Sequence, residues 1–220
     1  MATAQATTEQ RFLINHVSWD EYETLLALWG DRNVRMTYDQ GTLELMSPSY
    51  EHGRSEHVLA RLIEAYTLER DLEILGAGNT TFRRRLKERG LEPDECYWLR
   101  NEPWMRGKSE LDLNVDPPPD LAIEIEVTRS ALDRMGIYAK LGFPEVWRFD
   151  GQSIHVHQLQ ADGTYAEVST SQNFPDLSLE ELAHWVLLGG SIGENHLIRE
   201  FIAWIRAGMP PGGAAAIGSA

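Results

Sequence analysis

The segment 117–127, Pro-Pro-Pro-Asp-Leu-Ala-Ile-Glu-Ile-Glu-Val, carries three carboxylates, Asp120, Glu124 and Glu126. Side chains of an extended chain alternate between faces. Leu121, Ile123, Ile125 and Val127 therefore share one face, and the three acids share the other with Ala122. An antiparallel strand with one wet face would hold this pattern without further consequence. A covered strand would not, because an unpaired buried carboxylate costs several kcal/mol unless it is paired, neutralised or bound to a cation. A second Pro-Asp pair, Pro93-Asp94, opens the stretch Glu-Pro-Asp-Glu-Cys-Tyr-Trp-Leu. Two such strands side by side would bring Asp94 to Glu124. Carboxylates so paired take hard cations, Mg²⁺ or Mn²⁺, and leave positions for water and a substrate phosphate. A metal held there polarises the phosphate and acidifies the attacking water.

The elements around the acids favour the covered reading. Residues 129–142 predict a helix that closes at Gly142, and Pro-Glu-Val-Trp-Arg-Phe-Asp (144–150) predicts the next strand. Strand, helix, strand is a crossover that joins parallel strands, and parallel strands are usually covered on both faces. Upstream, Ser18 with Glu21 forms a capping box for a helix that stops at Gly30. Residues 34–46 alternate about Asp39-Gln40-Gly41 as a hairpin. Val58, Leu59, Leu62, Ile63 and Tyr66 mark a long amphipathic helix. Short strands are expected near 72–75, 80–86 and 94–99, a hairpin turning at Asp162-Gly163, and helices over 178–188 and 194–207. The fold class is α/β, a central mixed sheet flanked by helices. Residues 11–208 form a single domain between a mobile N-terminus (1–10) and a mobile tail (209–220), both poor in packing side chains.

Composition bounds the function. No stretch reaches the roughly 18 apolar residues that span a bilayer, and the N-terminus lacks a signal peptide's basic start and apolar run. The single cysteine, Cys96, excludes an internal disulfide and a multi-cysteine zinc site, and fits a cytoplasmic location. A net charge of −14 disfavours general adhesion to nucleic acid. A bound divalent metal or a local basic patch reverses that sign. Arg83, Arg84, Arg85, Lys87 and Arg89 form either such a patch or a solvated charged turn. Cys96, Trp98, Trp104 and Trp147 read as core residues. His155 and His157 share a hairpin face but lack a third zinc ligand.

Three segments, Asp39–His52, Gly90–Leu99 and Pro117–Gly151, resemble the restriction-endonuclease-like PD-(D/E)XK superfamily, and more closely its Uma-two family of proposed endonucleases. The resemblance implies a restriction-endonuclease-like core in which Asp94 is the aspartate of the PD motif and Glu124 the following acid, both ligating metal. Asp120 is a rival for the aspartate role or a residue that starts a strand. His52 matches a family histidine that touches metal-bound water or phosphate, or it serves as a helix-start residue. Glu56, one turn on, can share its face. The pattern departs where a lysine is expected, two residues after the acid. Glu126 stands there, as a third ligand or a general base. Arg134 occupies a position that is often basic, with Lys140 further along the helix. Arginine stays protonated, so Arg134 can steady charge but not act as base.

The implied function is a Mg²⁺- or Mn²⁺-dependent endonuclease that hydrolyses DNA with metal-activated water. The absent lysine favours a second reading, an inactive nuclease-fold binding or regulatory protein, with a homodimer as one form. A phosphohydrolase of small molecules is a third.

Overall fold

The structure is a computed structural model that describes residues 9–29, 34–78, 80–126 and 128–218. Gly30, Val127, the first eight residues of the expected mobile N-terminus and the last two of the tail lie outside them. Strand β1 (Gln10–Asn15) leads into helix α1 (Trp19–Trp29). The capping box forms as its spacing predicts. Ser18 Oγ accepts from the Glu21 backbone N–H at 3.3 Å, while Glu21 accepts from the Ser18 N–H at 2.7 Å, an arrangement that stabilises a helix start by about 1 kcal/mol. The hairpin follows as β2 (Arg35–Asp39) and β3 (Thr42–Ser47). Its turn holds Gly41 at a φ of 94°, a left-handed conformation that glycine adopts without steric cost.

Helix α2 (Tyr50–Glu69) starts at Ser49, whose hydroxyl accepts from the His52 N–H at 3.1 Å. Four short strands come next: β4 (Leu75–Gly76), β5 (Phe82–Arg84), β6 (Arg89–Leu91) and β7 (Glu95–Trp98). Beyond helix α3 (Glu102–Met105) lie β8 (Leu121–Ile125), α4 (Arg134–Leu141) and β9 (Glu145–Phe149). The chain ends with β10 (Ile154–Leu159), β11 (Tyr165–Val168), α5 (Leu179–Leu188), α6 (Glu194–Arg206) and α7 (Gly213–Gly218). The last falls within the expected mobile tail, yet Ala214 is buried and Trp204 donates to Pro210 O at 2.8 Å.

Two sheets result. One is antiparallel, in the order β1-β3-β2-β6-β5; the other is mixed, in the order β11-β10-β9-β8-β7-β4. The crossover prediction holds, because β8 and β9 are parallel with Glu124 paired to Arg148. Leu121, Ile123 and Ile125 pack against α2, α5 and α6 in the main core. On the opposite face Ala122 packs with Ile137, Tyr138 and Leu141 of α4. The acidic face of β8 is therefore covered, and the wet-face reading fails. In the antiparallel sheet Met36, Tyr38, Leu43 and Leu45 pack on α1, so Arg35, Thr37 and Glu44 turn to its other face. That polar face closes over the C-terminal end of β8.

Trp98 and Trp147 are core residues as expected, and Cys96 is a buried free thiol whose pKa burial pushes well up. Trp104 departs from the expectation. It is 60% exposed, lies beneath Lys108 and donates to Asp116 at 3.3 Å, because α3 turns Met105 into the core and leaves Trp104 facing outward.

Candidate active site

Strands β7 and β8 are antiparallel, with Glu95 opposite Ile123, so Asp94 follows in register beside Glu124. The Asp94 backbone N–H donates to Ile123 O at 3.1 Å, and its carboxylate accepts the Ile125 N–H at 2.6 Å. Glu124 is also buried. It receives Arg134 Nη2 at 2.5 Å and the Tyr138 hydroxyl. Those two donors stand one helical turn apart at the start of α4, which Asp133 caps by accepting the Gly136 N–H at 3.0 Å. The sequence thus sets the distance between acid and counterion through one short connection and one cap.

Helix α2 delivers the second layer. His52 and Glu56, four residues apart, point to the same side. His52 Nε2 lies 2.9 Å from Asp94, and Arg35 from β2 lies 3.2 Å from Asp94 and 2.8 Å from Glu56. His52, Glu56 and Asp94 each present one ligand atom, and the three atoms lie within 4.8 Å of one another. Glu56, one turn from His52 on the same face, belongs to this cluster. The metal set expected from the sequence, Asp94 with Glu124, Glu126 and Asp120, is not the tightest grouping.

Asp120 stands apart. It starts β8 at the opposite end, four residues and roughly 13 Å along the strand from Glu124. Its carboxylate accepts the backbone N–H groups of Leu99 and Asn101 at 2.9 Å each, the Asn101 side chain at 2.8 Å and Arg100 at 3.2 Å. It ties the loop after β7. Glu126 is half-buried and ion-paired with Arg148 across the parallel strands. Lys140 is exposed on α4.

Burial pushes Glu124 above the ordinary carboxylate range, and the neighbouring Asp94 charge adds to this against the pull of Arg134. Burial pushes Asp94 the same way, but the hydrogen bond from His52 and the charge of Arg35 outweigh it and leave its pKa low. Burial disfavours an imidazolium at His52, yet the bonds to Asp94 and Glu9 raise it to about 9. Without a bound cation, then, the cluster holds its negative charge against an imidazolium and two guanidiniums.

A cleft of about 180 Å³ opens beside Glu124, lined by Arg11, Glu126, Arg129, Arg134 and Arg148 among others. Four arginines meet three carboxylates, Glu124, Glu126 and Asp133, in its lining, on a chain of net charge −14. Much of the expected basic patch at 83–89 is instead neutralised at the far edge of the antiparallel sheet, where Arg83 and Arg85 pair with Glu23 and Asp20 and Arg89 pairs with Asp39. Sequence reading missed Glu9, Arg11, Arg35, Glu44, Tyr138 and Arg148. The signal for Arg35 and Glu44 was present in the hairpin's alternation, where a polar face does not have to be a wet one.

The Uma2 family, described as "putative restriction endonuclease", matches residues 19–188. The chain belongs to the Uma2 family. The match spans α1 through α5 and includes Asp94, Glu124, His52 and Arg134. Among solved structures the fold resembles the crystal structure of a "putative nuclease belonging to DUF820" from Anabaena variabilis. That protein is 17% identical, with a TM-score of 0.50 over 79% of this chain and 99% of the other. The likeness establishes the fold, a mixed α/β core with sheets flanked by helices. No curated protein matches the chain. Among the described residues no helix is long and apolar enough to cross a membrane.

Proposed function

We propose that this Uma2 chain is a divalent-metal-dependent endonuclease that hydrolyses DNA phosphodiester bonds. The observation that carries the reading is the cluster of Asp94 with His52 and Glu56, next to Glu124 on the neighbouring strand, which itself lines a cleft rich in arginine. The donor set fits a Mn²⁺ or Mg²⁺ ion. Carboxylate oxygens suit either metal, and the imidazole inclines the set toward Mn²⁺. The charge balance fits as well, since a cation can replace the His52 Nε2 proton and relieve the Asp94–Glu124 repulsion.

When bound, the ion would supply Lewis-acid polarisation of the phosphate and a more acidic water. Asp94 and Glu124 would hold it, with His52 and Glu56 completing the set. Arg134, always protonated, lies at 2.5 Å from Glu124 and would steady the charge that builds on the phosphate. Glu126, at the cleft wall, would accept the proton of the attacking water. Arg11, Arg129 and Arg148 would seat the flanking phosphates. Glu124→Ala, assayed on plasmid DNA with Mg²⁺ or Mn²⁺, should abolish nicking that the unaltered chain performs. Equal nicking by the variant removes the assignment.

One observation favours the alternative of a nuclease-fold binding or regulatory protein. Lysine is absent from the described cleft lining, and Glu126 in the motif lysine's place is occupied by Arg148. Calorimetry with Mn²⁺ separates the readings, because a degraded site shows no heat that depends on Asp94 and Glu124.

A further inference from the structure

Glu9 lies outside the matched family segment, ten residues before it begins. Its side chain is nonetheless fully buried. It reaches His52 Nδ1 at 3.0 Å and Arg11 Nε at 3.0 Å, and it accepts the Thr128 hydroxyl. Three parts of the fold therefore meet at one carboxylate: the start of α2, strand β1 and the loop that leaves β8. Arg11 extends the junction to Glu44 at 2.7 Å and to Thr128 Oγ1 at 3.0 Å, and Glu44 in turn accepts the Ala131 N–H at 2.9 Å.

The arrangement has a chemical consequence. His52 stands between two carboxylates, Glu9 on Nδ1 and Asp94 on Nε2. A histidine whose Nδ1–H donates to a carboxylate has its tautomer fixed, and its Nε2 lone pair is free to ligate. Nε2 is the atom that faces Asp94, in the cluster with Glu56. Packing alone does not require a charge here, because an apolar group of similar volume often stabilises a fold as well as a buried ion pair does.

We infer that Glu9 is a positioning residue for the site: it orients the His52 ring and fixes the tautomer that presents Nε2 to a divalent cation. The inference rests on the metal-site reading above, and two measurements on the full chain keep the two separable. The first titrates Mn²⁺ alone into the unaltered protein, Glu9→Gln and Asp94→Asn, with the thermal midpoint recorded for each. Loss of an outer carboxylate behind a ligating histidine typically weakens metal binding roughly 10- to 100-fold. Glu9→Gln should do so without losing the cooperative transition, while Asp94→Asn should lose binding. Unchanged affinity in Glu9→Gln, with Asp94→Asn still defective, overturns the inference and leaves the metal site standing.

The second measurement needs no metal. The Nδ1–H proton of His52 is identified in the NMR spectrum as the downfield ring signal that disappears in His52→Gln and persists in Asp94→Asn. If Glu9 holds the ring, Glu9→Gln shifts this signal strongly and Glu9→Ala exchanges it away. An identical signal in all three Glu9 forms overturns the inference. If the unaltered protein binds no Mn²⁺, the metal-site reading falls, and the orienting role of Glu9 is decided by this signal alone.

Discussion

The chain uses the same dipeptide, Pro-Asp, to start two neighbouring strands, and the two aspartates do opposite work. Asp94 precedes β7 and Asp120 precedes β8, and both are buried. Because β7 and β8 are antiparallel, their starts lie at opposite ends of the pair. Asp94 arrives beside Glu124, among His52, Arg35 and Glu56. Asp120 arrives at a loop and spends its carboxylate on the N–H groups of Leu99 and Asn101. One end gathers ionisable groups that repel or compensate one another; the other satisfies donors. Identical local sequence therefore carries no functional meaning until the pairing direction is known.

The largest expected effect separates the two aspartates by activity. Asp94→Asn should lower Mn²⁺-dependent nicking of plasmid by at least about 100-fold, the scale on which loss of one preorganised charged group acts. Asp120→Asn should leave nicking per folded molecule within about 3-fold, since it loses no transition-state contact. Comparable losses in the two variants would erase the distinction.

Stability should divide the same ends differently. Arg134→Met leaves Glu124 buried without its cation and should cost about 3–5 kcal/mol in urea unfolding. Adding Glu124→Gln to that variant should restore most of the loss. Asp120→Ala should cost about 2–3 kcal/mol, because buried backbone donors lose their acceptor, with no recovery expected from any single charge change. Glu126→Gln should move stability by under about 1 kcal/mol, given its solvent-exposed edge. A change in nicking beyond that small loss would assign Glu126 a part in proton transfer.

The smallest effect lies remote from both ends. His155 is bonded to Glu167 at 2.8 Å and to Asp150 at 3.3 Å, and chiefly the Glu167 bond holds its pKa above the ordinary histidine value. A raised folded-state pKa stabilises most below the unfolded value near 6.5 and loses that contribution as pH rises through the folded one. The melting difference between the unaltered chain and His155→Gln should therefore be small, fullest below pH 6.5, and decline as pH rises above it. A difference that grows with pH would contradict the assigned ion pairs.

Particular residues explain what could be read in advance. Ser18 with Glu21, Asp162-Gly163 and the apolar positions of α2 are signals between close neighbours in the chain, and their elements formed where expected. The β8–α4–β9 crossover was equally legible, since strand, helix and strand with short links admit few arrangements. Trp104 was misread because an aromatic on a four-residue helix carries no periodicity to reveal its face. Glu9 and Arg11 gave no local signal at all, because their partners His52, Thr128 and Glu44 are distant in sequence.

The amino-acid sequence by itself determined the alternation that puts Glu124 opposite an apolar face, the helix start that sets Arg134 and Tyr138 one turn apart, and the family pattern. Each depends on bond geometry repeated over a few residues. The tertiary structure alone decided which aspartate meets Glu124, that Glu56 joins His52, and that an N-terminal strand places a carboxylate behind the histidine. Those outcomes follow from strand direction and from which polar face closes over which strand end. Neither is set until the two sheets bury their apolar sides.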